Sequence, residues 1–200
     1  MKSFLSLAFS FIFTNIFSQL AYQQEIQQAR TEHIKEMLEP SKGILNQEEQ
    51  DNYISHEYFP IDENFKVVGK LKKAPSEILV IPTSSGKEKQ YQVIGKVEFS
   101  VKEEGKTTLY VLQDLALAQI EAYKNYYFIP FRDATTGAET YGAGRYMDVT
   151  IKGKKVTLDF NKAYNPYCAF SPRYNCPIPP ERNHLKISIK AGEKTPRLHD

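Results

Sequence analysis

The 200-residue sequence has no tryptophan, only two cysteines, only four histidines and almost no net charge, with 26 Lys+Arg against 24 Asp+Glu. A formal charge of +2 supplies no basic stripe to neutralise phosphates, so nucleic acid is excluded as a partner. Cys168 and Cys176 lie eight residues apart with no paired histidines beside them, which does not match zinc-ligand spacing. No metal site is therefore read from the sequence. Past residue 17 no long apolar run recurs, so nothing there spans a bilayer. The Gly142-Ala143-Gly144 segment lacks the third glycine of a dinucleotide loop and the Lys-Ser/Thr of a phosphate loop, so no nucleotide and no cofactor is implied.

What is present starts at the N-terminus. Met1-Lys2 gives a positive start, Ser3–Phe17 is an uncharged Phe/Leu/Ile-rich run, and Ser18 closes it before Gln19. This is the layout of a cleaved secretory leader over residues 1–18, and it implies an exported, periplasmic or secreted protein without a stable span after cleavage. Residues 19–200 then read as a single β-rich domain. Their length and ordinary apolar content (41% over the whole chain) suit one core.

Gln23–Pro40 places Ile26, Ala29, His33, Ile34, Met37 and Leu38 at helical spacing, and Pro40 with Gly43 ends the pattern. His33 falls beside the apolar stripe. No second ligand type recurs at i+3 or i+4, so it reads as a packed or exposed helix histidine. Phe65–Leu71, Glu77–Pro82, Tyr91–Val101 and Thr107–Gln113 read as strands of a meander with one wet face. Leu115–Tyr123 admits both helix and strand. Tyr126–Phe131 reads as a buried strand, Tyr146–Ile151 and Val156–Phe160 as a hairpin turned at Lys152-Gly153-Lys154, and Leu185–Ile189 as a closing strand. The fold class is mainly β: a strongly twisted antiparallel sheet, partial barrel or sandwich, with an N-terminal amphipathic helix.

The unusual residues concentrate between Phe128 and Lys194, where irregular backbone is of the kind that positions side chains. Three chemistries compete there. In a catalytic cleft for hydrolysis or elimination, Asp133 and Glu139 supply carboxylates, Arg145 a cation and Tyr141 a hydroxyl. The same groups also suit structural ion pairs that hold the loop. In a binding site for a small anionic or sugar-like ligand, Arg132, Arg145, Tyr146, Asn165, Arg173 and Asn183 contribute charge, stacking and amides. In thiol chemistry, Cys168 would be a nucleophile with His184 as base and Asn183 as orienter. In an exported chain a Cys168–Cys176 disulfide is the default, stapling a lid over the sheet end. The expected pocket lies between the loops Arg132–Arg145 and Asn161–Arg182.

The blocks PFRDATTGAETYGAGRYMDV (130–149), LDFNKAYNPYCAFSPRYNCPIPPERNHL (158–185) and ISIKAGEK (187–194) resemble the signature of the bacterial family called domain of unknown function 1684. The likeness runs back, more loosely, through HEYFPIDENFKVVG (56–69) and the helix. It implies one such domain and carries no established activity.

Overall fold

The computed structural model describes the backbone of residues 3–102 and 105–199, and the side chains of residues 18–102 and 105–199. The apolar run of the expected leader (residues 1–18) therefore lies, up to Phe17, outside the side chains described. Helix α1 (Ser3–Leu38) runs without a break through Ser18 and Gln19. Among the described residues no helix is long and apolar enough to cross a membrane.

The C-terminal half of α1 docks by the stripe visible in its spacing: Ile26 and Met37 are fully buried. Tyr22 adds a polar anchor, its hydroxyl donating to Asp159 Oδ1 at 2.8 Å. Pro40 opens a single 3-10 turn that Gly43 ends in the left-handed region, since proline lacks the N–H that would continue the helix. The short α2 (Gln47–Asn52) begins at a capping box in which Asn46 and Glu49 satisfy each other's backbone N–H groups. It leads into β1 (Tyr53–Ser55), paired with the C-terminal β10 (Arg197–Leu198).

The main sheet is antiparallel and nearly closed, in the order β7-β6-β5-β4-β2-β9-β8, with β3 paired to the first half of β4. Its members are β2 (Lys66–Lys72), β3 (Ile78–Pro82), β4 (Glu88–Ser100), β5 (Lys106–Asp114), β6 (Tyr127–Phe131), β7 (Arg145–Val149), β8 (Ile151–Lys152) and β9 (Lys155–Asp159). Only Thr150 separates β7 from β8, so the chain joins the two ends of the sheet and curls it into a barrel. The core follows from alternation: Val97, Phe99, Leu109, Val111, Ile129, Phe131, Met147 and Val149 point inward with Phe160 and Ile189. Their neighbours Tyr91, Val93, Leu112, Phe128 and Tyr146 form a second apolar cluster on the opposite face. The mainly β architecture with an N-terminal helix is thus the one expected, in its barrel-like form.

Three local expectations are corrected. Leu115–Tyr123 is neither helix nor strand but two 3-10 turns, started when Asp114 Oδ1 accepts the N–H groups of Ala116 and Leu117. The hairpin shrinks to two residue pairs, Ile151↔Val156 and Lys152↔Lys155, because β9 spends its edge on β2 and β7 on β6. Leu185–Ile189 is not a closing strand. Its backbone serves the loop after β6 instead: Leu185 N–H donates to Arg132 O and Ala134 N–H to Ile187 O, while Ile189 N–H donates to Asp133 Oδ2 at 2.6 Å.

Candidate functional site

The predicted site residues fall into separate groups. Arg145 is 1% exposed and strapped to the chain's C-terminal segment. Its Nη1 donates to the carbonyls of Ala191 and Glu193, and its Nη2 donates to Ile189 O at 2.9 Å. Nη2 also lies 3.5 Å from Asp133 Oδ1. Asp133 is in turn held by the Thr135 and Thr136 hydroxyls. Glu139 is not part of this group; it is half-exposed and pairs with Lys190 at 2.9 Å. Tyr141 donates to Cys168 O, and Arg132 Nε to Ala143 O. The four residues expected to make a catalytic cleft therefore do not converge on a common opening.

Asn183 is fully buried and bridges two strands. Its amide nitrogen donates to Tyr110 O and Pro130 O, and its Oδ1 accepts the Tyr110 N–H. β5 and β6 share only the pair Leu112↔Phe128, and Pro130 has no N–H to offer, so this amide fills a gap in the ladder. Arg173 chelates Glu49 through Nε and Nη2. The Cys168–Cys176 disulfide is not formed. Both residues are free thiols, and the 3-10 turn Tyr167–Ala169 brings the Cys168 N–H to 3.4 Å from Cys176 Sγ. His184 binds Pro179 O and pairs with Glu181, so nothing couples it to Cys168.

The open space lies beside these locks. A groove of about 590 Å³ runs over the outer face of β4, β6 and β7 and under the loop Tyr164–Pro177. Of the expected ligand residues Tyr146 lines it, and part of the loop Asn161–Arg182 supplies one wall, whereas the loop Arg132–Arg145 contributes none of its lining. The other wall comes from strand residues Tyr91 and Phe128, from Tyr126, and from His33 of α1. At its floor Asp148 Oδ1 accepts hydroxyls from Tyr126 and Tyr164, each at 2.8 Å. Asp148 opens to the groove, yet protein encloses it on its other sides. That burial raises its carboxyl above the usual range, against the lowering effect of the two tyrosine bonds.

Behind His33 lies a smaller cavity of about 120 Å³, bounded by Arg30, Tyr58, Tyr164 and Glu193 among others. Glu193 is 1% exposed; its Oε2 accepts the Asn165 N–H at 2.7 Å and its Oε1 the Tyr58 hydroxyl at 3.3 Å. Burial pushes its carboxyl up to about 7. Its position depends on Gly192, at φ +77°, where an added Cβ would stand 2.5 Å from Ala163 O; only glycine fits there. Burial lowers the His33 imidazole. Burial, and then the neighbouring His33, pushes His56 down to about 3. His56 and Glu193 escaped the sequence reading because they are 137 residues apart, and no local spacing joins either to His33.

Comparison with known proteins bears on this geometry only at the level of family and fold. Residues 51–194 match the model of a protein family of unknown function, DUF1684, and the chain belongs to that family. The chain is also similar to an uncharacterized protein of Haloarcula marismortui, solved by solution NMR. The identity is 28%, covering 89% of this chain and 96% of that one, with a TM-score of 0.65. No curated protein matches.

Proposed function

We propose that the protein is an exported binding protein whose tyrosine-walled groove takes a small, neutral, polyhydroxylated ligand of the sugar type. The observation that carries this reading is Asp148 at the groove floor, held by two tyrosine hydroxyls through Oδ1 alone. Among the described residues no side chain donates to Oδ2, which is left as an acceptor for a ligand hydroxyl. Flat aromatic faces beside a fixed acceptor suit the apolar faces and hydroxyl edges of a pyranose. The charge of the lining argues against an anion: Glu36, Asp114 and Asp148 face one lysine, Lys89. The arginines that favoured an anionic ligand are engaged elsewhere, Arg145 by Asp133 and Arg173 by Glu49. Export rests on the leader-like composition of residues 1–18.

The hydrolase or lyase reading loses its geometric support, since Asp133 and Arg145 are satisfied by each other and by backbone. A thermal-shift panel of neutral oligosaccharides, uronic acids and phosphates tests the proposal. A neutral saccharide at 100-fold excess over its Kd raises Tm by about 5–10 °C, and Asp148→Ala abolishes the shift. A panel in which only anions shift Tm, or a saccharide shift that survives Asp148→Ala, sinks it.

A further inference from the structure

The buried cluster behind the groove has polar atoms with no partner. His56 has a 1% exposed side chain and Glu193 a 2% exposed one. Among the described residues, His33 Nε2 and His56 Nε2 are both buried without a hydrogen bond. Both point at the same oxygen: His33 Nε2 lies 3.4 Å and His56 Nε2 3.8 Å from Glu193 Oε1. All three groups can bring a ligand atom within 4.8 Å of the others. Leaving such atoms unsatisfied is costly, on the order of 1–3 kcal/mol each. Chains rarely keep two such nitrogens converging on one carboxylate oxygen without a use; that oxygen, Glu193 Oε1, has only the long 3.3 Å bond from the Tyr58 hydroxyl.

We infer that His33, His56 and Glu193 form a binding site for one divalent transition-metal ion of the zinc class. Two imidazoles and one carboxylate are a donor set such ions take, with an open position left for water or a small ligand. The spacing agrees. Ligand atoms about 2.1 Å from a tetrahedral ion stand about 3.4 Å apart, against the 3.4 and 3.8 Å measured here.

An outer shell fixes the orientation. The Tyr53 hydroxyl sits 2.7 Å from His56 Nδ1 and sets which ring nitrogen faces Glu193. Asn165 holds the other carboxylate oxygen, and Arg145 straps the backbone carbonyl of Glu193. The charges nearby include Arg30 and Lys162 in the same cavity, Arg145, which Asp133 neutralises, and the carboxylates Glu36 and Asp148 beside His33. Arg30 is itself engaged, its Nη2 donating to Phe59 O and its guanidinium lying over the Tyr58 ring. His33 lines both this cavity and the groove, so the ion would sit at the groove's end. Cleavage after Ser18 would leave all three ligands on the chain. The inference is independent of the sugar reading: either can fail alone.

The test uses the full chain, stripped with a chelator, and the metals alone. Titration with Co²⁺ should give one equivalent bound and intense visible d–d bands of a four-coordinate site, which Zn²⁺ then displaces. His33→Ala, at a partly exposed helix position, should fold with an unchanged far-ultraviolet spectrum and bind about 100-fold more weakly or worse. Tyr53→Phe should weaken binding by about 10–100-fold. His184→Ala and His199→Ala, the two remaining histidines, should bind as the parent does. Absence of a one-equivalent Co²⁺ or Zn²⁺ complex in the unaltered chain overturns the inference without need of any variant. Undiminished binding by a folded His33→Ala chain, or loss of binding on changing His184 or His199, overturns it equally.

Discussion

Arg145 Nη2 stands 3.5 Å from Asp133 Oδ1 with both side chains withdrawn from solvent, and the pair ties the loop after β6 to the C-terminal segment. Arg145→Met removes the cation and four donor contacts while leaving Asp133 buried. An unpartnered buried charge costs about 3–5 kcal/mol, so urea denaturation should show a loss of that size. Glu139→Gln disturbs only the half-exposed pair with Lys190 and should stay within about 0.5 kcal/mol. Equal losses in the two variants would contradict this division of roles.

Asn183 carries a comparable burden without charge. Asn183→Ala leaves the Tyr110 N–H and the Tyr110 and Pro130 carbonyls unmet inside the sheet. At about 1–3 kcal/mol for a buried group left unsatisfied, the expected loss is about 2–3 kcal/mol. Hydrogen exchange should also speed selectively at Tyr110, where the ladder is otherwise thin. Protection at Tyr110 equal to that of the parent would show that another donor or acceptor closes the gap.

Much of the architecture was legible because it is local. Alternation located β4 to β6, and the stripe Ile26–Met37 located the packed face of α1. What failed was the question of which partner each edge takes. Leu185–Ile189 alternates like a strand, yet its hydrogen bonds are claimed by Arg132–Ala134 and the Asp133 carboxylate, a competition no spacing reveals. The site was legible in part. The abundance of tyrosine was visible, and Tyr146 lines the groove, but of the arginines that suggested an anion Arg145 is neutralised by Asp133 and Arg173 by an acid far along the chain. Glu49 lies 124 residues from Arg173. No local spacing marks His33, since its neighbours come not from one turn away on its own helix but from the segment after β1 and from the C-terminal segment.

The Glu49–Arg173 pair predicts an acid-side effect. The Arg173 guanidinium holds the Glu49 carboxyl down at about 2, helped by the Ser171 hydroxyl and the Asn46 N–H. A depressed folded-state value means the stabilisation is fully present above the unfolded value near 4.3 and is lost as pH falls through about 2. Glu49→Gln should therefore lower stability at pH 7 and converge with the parent near pH 2. Since Arg173 is half-exposed, the loss at pH 7 is held to about 1 kcal/mol by solvent screening. A difference that stays constant from pH 7 to pH 2 would show that the charge contributes nothing.

Cys168 and Cys176 offer the last discrimination. The neighbouring Cys176 thiol, aided by the Tyr141 hydroxyl, holds Cys168 down at about 7 against the opposing effect of burial. Cys176, which gives up its proton only after Cys168, is shifted upward. Alkylation depends on the thiolate, so at pH 7.5 iodoacetamide should modify Cys168 first. Cys176→Ala removes this neighbour and should slow Cys168 by about 10-fold, toward the rate of an ordinary thiol near 8.5. Peptide mapping after brief labelling reads both rates. Faster labelling of Cys176 than of Cys168 would overturn this order of acidities, and a denatured chain that yields no free thiol would replace the pair of thiols with the disulfide that an oxidising compartment favours.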